Sequence, residues 1–139
     1  MLFRSVVVAD LTGLFATIGG TLTDLYSSIE NLTGGSVGDQ LFGDGAANIL
    51  VGGAGGDILQ GRGGTDTLTG GSGADAFNPA NGDDSDVIVD FSRAEGDKVD
   101  LIGGITFTGT TGGGNIANLS DGTTITMTAG FVWTGADFI

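Results

Sequence analysis

Four aspartates and one asparagine recur at intervals of nine residues: Asp39, Asn48, Asp57, Asp66 and Asp75. Oxygen-bearing side chains at fixed spacing point to a hard cation. Zinc is a poor match, because it draws on nitrogen and sulfur and the chain has no His and no Cys. If two nine-residue units make one coil of a solenoid, residues eighteen apart stack on rungs roughly 4.8 Å apart. Asp39, Asp57 and Asp75 then line one edge, Asn48 and Asp66 line the other, and Asp84 continues that second edge. Stacked carboxylates repel: two unit charges about 4 Å apart cost on the order of 4 kcal/mol at an effective dielectric near 20. A divalent cation between them reverses the sign. Calcium accepts about six to eight oxygens at roughly 2.3–2.6 Å and tolerates carboxylates mixed with carbonyls, whereas magnesium demands a smaller octahedron and keeps its waters.

The elements that must hold these acids follow from the same period. Residues 34–78 divide into GGSVGDQLF, GDGAANILV, GGAGGDILQ, GRGGTDTLT and GGSGADAFN. Glycine fills most of the first, second and fourth places, where a tight turn is needed. The last three residues of each unit are expected to run extended. The eighth place, Leu41, Leu50, Leu59, Leu68 and Phe77, points inward. Leu32 lies nine residues before Leu41 and extends this ladder by one step; Glu30 lies nine before Asp39 and reads as a solvated acid. A fixed period of this length predicts a solenoid. Collagen is excluded, since there is no three-residue period and one proline.

The composition agrees. The chain has 139 residues, 29 of them glycine, and 17 acidic against 4 basic residues, a net charge of −13. That balance disfavours a nucleic-acid partner, because phosphate would be repelled, and favours cations. No apolar run approaches a membrane span. There is no His base, no Cys nucleophile and no Ser with a base partner, so no enzymatic activity is expected in this chain.

The nonapeptides resemble G-G-x-G-x-D-x-U-x, the calcium-binding repeat of RTX (repeats-in-toxin, hemolysin-type) proteins. The segment 29–34 resembles the lead-in before such arrays, and 86–102 resembles the segment that closes them in serralysin-type peptidases. The resemblance covers about residues 29–139. It implies an all-β fold: a parallel β-roll, a right-handed solenoid with two nonapeptides per coil, followed by a short β-rich C-terminal cap. The expected divisions are degenerate lead-in coils over 6–33, the calcium-binding roll over 34–84, and the cap with a secretion-signal-like tail over 85–139. Residues 1–5, MLFRS, match the translation of a common sequencing adapter end, ATG CTC TTC CGA TCT, and are read as an artefact at the edge of a longer gene.

The resemblance also implies ligands, each ion lying between the turns of alternate repeats. One site would use Gly34, Ser36 and Asp39 with Gly53, Gly55 and Asp57. The next would use Gly52, Ala54 and Asp57 with Gly71, Gly73 and Asp75. On the other edge, Gly43, Gly45 and Asn48 would meet Arg62, Gly64 and Asp66, with Asp84 opposite Asp66 in a partial sixth repeat. Val37 and Ala46 depart from the pattern at the fourth place, Asn48 lacks the charge, and Arg62 stands where a glycine is usual. The acids Asp83, Asp84, Asp86 and Asp90 read either as a further site or as a solvated turn.

After the repeats, strands are expected at 87–89, 99–102, 105–107, 115–119 and 123–127, with Asp121-Gly122 as a hairpin turn. The tail ending Asp137-Phe138-Ile139 resembles those of type I secretion substrates, and reads equally as a capping strand. The resemblance therefore implies calcium as cofactor, the type I secretion apparatus as partner, and a secreted bacterial protein folding in extracellular calcium. The alternatives are an accessory domain of a secreted protease or lipase, or a structural or adhesin module. An upstream H-E-x-x-H, G-x-S-x-G or long repeat array would separate them.

Overall fold

The computed structural model describes residues 7–10, 15–18, 21–24, 30–78, 85–101, 106–111, 116–127 and 132–139. Its strands are β1 (Val7–Asp10), β2 (Phe15–Ile18), β3 (Thr21–Asp24), β4 (Asn31–Thr33), β5 (Gln40–Phe42), β6 (Ile49–Ala54), β7 (Ile58–Gln60), β8 (Thr67–Ser72), β9 (Ala76–Asn78), β10 (Ser85–Ile88), β11 (Lys98–Val99), β12 (Phe107–Thr111), β13 (Ile116–Leu119) and β14 (Thr124–Met127). No helix among the described residues is long and apolar enough to cross a membrane.

The repeats wind into a parallel β-roll. Successive strands alternate between two sheets, with β5, β7, β9 and β11 adjacent in one and β4, β6, β8 and β10 in the other. The register is eighteen residues, two nonapeptides per coil: Leu41 faces Leu59, Leu59 faces Phe77, Leu32 faces Leu50, and Leu50 faces Leu68. Alternation of side chains along each strand sends the eighth place inward. Leu41, Leu50, Leu59, Leu68 and Phe77 are all fully buried, and Leu32 packs against them from the open end. Full burial of each such side chain is worth roughly 1.5–3 kcal/mol. Glu30 is exposed, as a solvated acid should be.

Two strands are longer than the three extended residues expected. β6 and β8 run on into the next repeat, so that Gly53 faces Gly71 and Ala54 faces Ser72. The first-place glycine makes this approach possible. A methyl on Gly52 would sit 2.6 Å from the Gly70 carbonyl oxygen and 2.8 Å from Cγ of Asp57. Glycine is required there for lack of bulk, since Gly52 does not have a positive φ.

Beyond Asn78 the register lengthens. β10 lies beside β8 with Leu68 facing Ile88, twenty residues apart, and β11 lies beside β9 with Phe77 facing Val99, twenty-two apart. Ile88 and Val99 are fully buried and continue the two inward ladders. The far end is closed in two ways. In one sheet β14 adds in parallel to β10, and β13 and β12 follow antiparallel. The expected hairpin is present: Asp121-Gly122 turns β13 into β14, with Gly122 at φ 96° and its N–H bonded to Leu119. The strand expected at 105–107 runs instead from Phe107 to Thr111.

In the other sheet the C-terminal residues cover β11. Phe138 bridges Val99 in parallel, Leu101 N–H donates to Ile139 O at 2.9 Å, and Ile139 N–H donates to Val99 O at 2.8 Å. Arg93 grips the tail with a two-pronged bond to Asp137 (Nε–Oδ1 2.5 Å, Nη2–Oδ2 2.6 Å). Phe91, Trp133 and Phe138 form a chain of ring contacts under Phe77, with centroids 5.1–6.1 Å apart. This end presents packed rings and a paired strand instead of a bare sheet edge open to further pairing.

The lead-in corrects one expectation. β1 joins the roll in parallel, with Ala9 facing Leu41, but β2 runs antiparallel to β1 and β3 antiparallel to β2. They are therefore not degenerate coils. Short connections between neighbouring strands allow antiparallel pairing, whereas parallel pairing needs a long return path, and 6–29 carries no nine-residue Asp period to supply one.

Candidate metal centre

The sixth-place residues sit just before each inward hydrophobe, at the two edges where the chain passes between sheets. Each is buried: Asp39, Asn48, Asp57, Asp66 and Asp75 are at most 2% exposed. They form two ladders. On the first edge Asp39 N–H donates to Asp57 Oδ1 at 2.7 Å, Asp57 N–H to Asp75 Oδ1 at 2.8 Å, and Asp75 N–H to Asp97 Oδ1 at 3.0 Å. On the second, Asn48 N–H donates to Asp66 Oδ1 at 2.8 Å and Asp66 N–H to Asp86 Oδ1 at 2.9 Å. One carboxylate oxygen thus locks each rung to the rung before it.

The expected edge assignments hold from Asp39 to Asp75, and one changes after that. Asp86, not Asp84, follows Asp66; Asp84 lies outside the described residues, as does Asp83. The reason is packing. Asp86-Val87-Ile88 places a hydrophobe two residues after the acid, as every repeat does, whereas Asp84 is followed at that distance by Asp86. The rung forms where the core slot can be filled. The same tripeptide logic, Asp97-Lys98-Val99, marks Asp97 as the acid after Asp75, which a strict nine-residue count misses. Asp86 and Asp90 do not share a site. Asp90 lies at the first edge, where its two oxygens accept the N–H groups of Gly70 (2.9 Å) and Gly71 (2.8 Å).

The Asp57–Asp75 rung fits a hard cation. Oδ2 of Asp57 and Oδ2 of Asp75 are buried and have no hydrogen-bond partner, although leaving a buried charged oxygen unsatisfied is costly. The in-register turns bring Gly52, Ala54 and Asp57 alongside Gly71, Gly73 and Asp75. Among the described residues no three acidic side chains converge into a metal-binding group, so a calcium ion here would draw on turn carbonyls as well, as the ion tolerates. The preceding rung brings Gly34, Ser36 and Asp39 alongside Gly53, Gly55 and Asp57. There Asp39 Oδ2 already accepts the Gly35 N–H at 2.5 Å.

The Asn48–Asp66 rung does not fit. Asn48 Oδ1 accepts the Asp44 N–H at 2.8 Å, and its Nδ2, a donor, is buried without a partner. The Arg62 guanidinium donates to Gly43 O at 2.9 Å, a carbonyl that the resemblance assigns to the metal.

Burial pushes Asp75 up from 3.8 to about 6, the Asp57 N–H bond opposing and the charges of Asp97, Asp57 and Asp90 adding to it. Burial raises Asp57 and Asp97 as well. A folded-state value above the unfolded one means that the folded form holds the proton more tightly. The stability it contributes is complete below about 3.8 and is lost as pH rises through about 6. In calcium-free buffer the roll should therefore hold more strand signal by circular dichroism at about pH 5 than at about pH 7, whereas calcium affinity should fall as pH drops from about 7 to about 5, because protons compete for the carboxylates. An unchanged spectrum across that interval would contradict this.

No protein-family model matches the chain, and no curated protein matches it. Among solved structures it is similar to the AlgE6R3 subunit of the Azotobacter vinelandii mannuronan C5-epimerase, at 20% identity over 75% of this chain and 78% of that one, with a TM-score of 0.34. The fold of this chain rests on its eighteen-residue strand register and not on that likeness.

Proposed function

We propose that the β-roll binds calcium through the Asp57–Asp75 edge and folds on binding, as the C-terminal module of a secreted bacterial protein exported through a type I apparatus. The observation that carries the reading is the pair of buried, stacked carboxylates whose Oδ2 atoms have no hydrogen-bond partner. A bound calcium ion would supply the positive charge that cancels their repulsion. The chain does the rest. Oδ1 of each acid fixes the rung before it through a backbone N–H, the glycines bring turn backbones close, and the inward hydrophobes close the coil. Affinities of about 10⁻⁴–10⁻³ M, usual for extracellular modules, would leave the chain loose inside the cell and ordered outside it.

Calorimetry tests this. Wild-type protein titrated with CaCl₂ should give a saturable heat in that range, and the double variant Asp57→Asn/Asp75→Asn should bind at least about tenfold more weakly, since ligand charge sets affinity in such sites. No heat from the wild type would overturn the reading.

A further inference from the structure

The second edge of the roll differs from the first at one rung. Arg62 occupies the second place of its repeat, where Gly53 and Gly71 stand on the first edge, and it keeps the positive φ (70°) of those glycines. Among the described residues it is the one non-glycine in that region. A long β-carbon-bearing side chain held in a left-handed backbone is strained, and such strain persists where surrounding contacts require it. The contacts are visible: Nη1 donates to Gly43 O on the neighbouring coil at 2.9 Å, and the guanidinium lies 5.5 Å from the centre of the Phe42 ring. Guanidinium groups suit both roles, as a planar donor and as a cation over an aromatic face.

The charges change with it. On the first edge Asp57 and Asp75 bring two negative charges to a rung. On this one Asn48 is neutral, Asp66 and the turn residue Asp44 are negative and Arg62 is positive, so Arg62 already offsets one of the two negative charges. Resting on the calcium reading above, we infer that Arg62 replaces the metal ion at the Asn48–Asp66 rung. Its guanidinium takes the carbonyl and supplies the positive charge, and this rung binds no calcium. The array then has one coil whose turns are tied by a side chain and are independent of ion concentration, beside an edge that responds to it.

Crystals of the wild-type protein grown in CaCl₂ test this through anomalous difference density. The expected result is a calcium peak at the Asp57–Asp75 edge and none at Gly43–Asp66, with the guanidinium on Gly43 O. The double variant Asn48→Asp/Arg62→Gly should gain one calcium per chain by calorimetry. A peak at the Arg62 rung, or a folded double variant with wild-type stoichiometry, overturns the inference and leaves the calcium reading intact. No peak at either edge, with no heat, removes both. Should the double variant fail to fold, the wild-type crystal decides alone.

Discussion

Removal of calcium is expected to unfold residues 34–78. In excess chelator the far-UV circular dichroism of the chain should lose its strand signal, and amide exchange at Leu50, Leu59 and Leu68 should lose its protection. Both should return on adding CaCl₂. The inward hydrophobes are few, one per nonapeptide, and the turns are built of glycine, whose ordering costs more than that of any other residue. Against them stand acids stacked rung on rung, with Asp75 held near 6 by burial and by its neighbours' charges. At pH 7 these acids ionise and act against folding. A site with a dissociation constant of about 10⁻⁴ M contributes about 1.4 kcal/mol at about 1 mM free calcium by mass action, a large part of the margin by which a small domain is stable. A native strand signal persisting in excess chelator would contradict this account.

Gly71→Ala is expected to destabilise the calcium-loaded roll by about 2–5 kcal/mol. Two costs coincide there. The backbone has φ 98°, where an L-residue loses roughly 1–2 kcal/mol. The added methyl would also collide with the carbonyl oxygen of Gly53 on the facing strand, and overpacking of this kind costs typically about 1–3 kcal/mol. That oxygen is backbone within a paired strand, so it cannot swing aside as a flexible side chain would. Because Gly53–Gly71 pairing sets the turn beside Asp57 and Asp75, the variant should also need more calcium to fold. Gly45→Ala is the control. Nothing lies within 4 Å of its added methyl, its φ is not positive, and its carbonyl is retained; a change within about 0.5 kcal/mol is expected. Urea denaturation of both variants in saturating CaCl₂ makes the comparison, and equal midpoints would show that the strand approach tolerates a side chain.

The nine-residue period was enough to place the core and both acid edges as far as Asp75. Acid, spacer and hydrophobe lie within three residues of one another, and a coil of two units leaves one stacking partner for each, eighteen positions on. That pattern is local and repeats itself, so it is legible in a single sequence. Three features were decided only when distant parts of the chain met. Asp86 and Asp97 take rungs that a strict count gives to Asp84 and Arg93, because the register follows whichever hydrophobe, Ile88 or Val99, fills the next core slot. β2 and β3 turn back antiparallel because no periodic turn carries them around the coil. Arg62, in sequence a glycine position filled by the wrong residue, reaches a carbonyl nineteen positions earlier and ties two coils together. Spacing specifies which residues stack; only the folded coils determine which oxygens remain for a cation and which are already held.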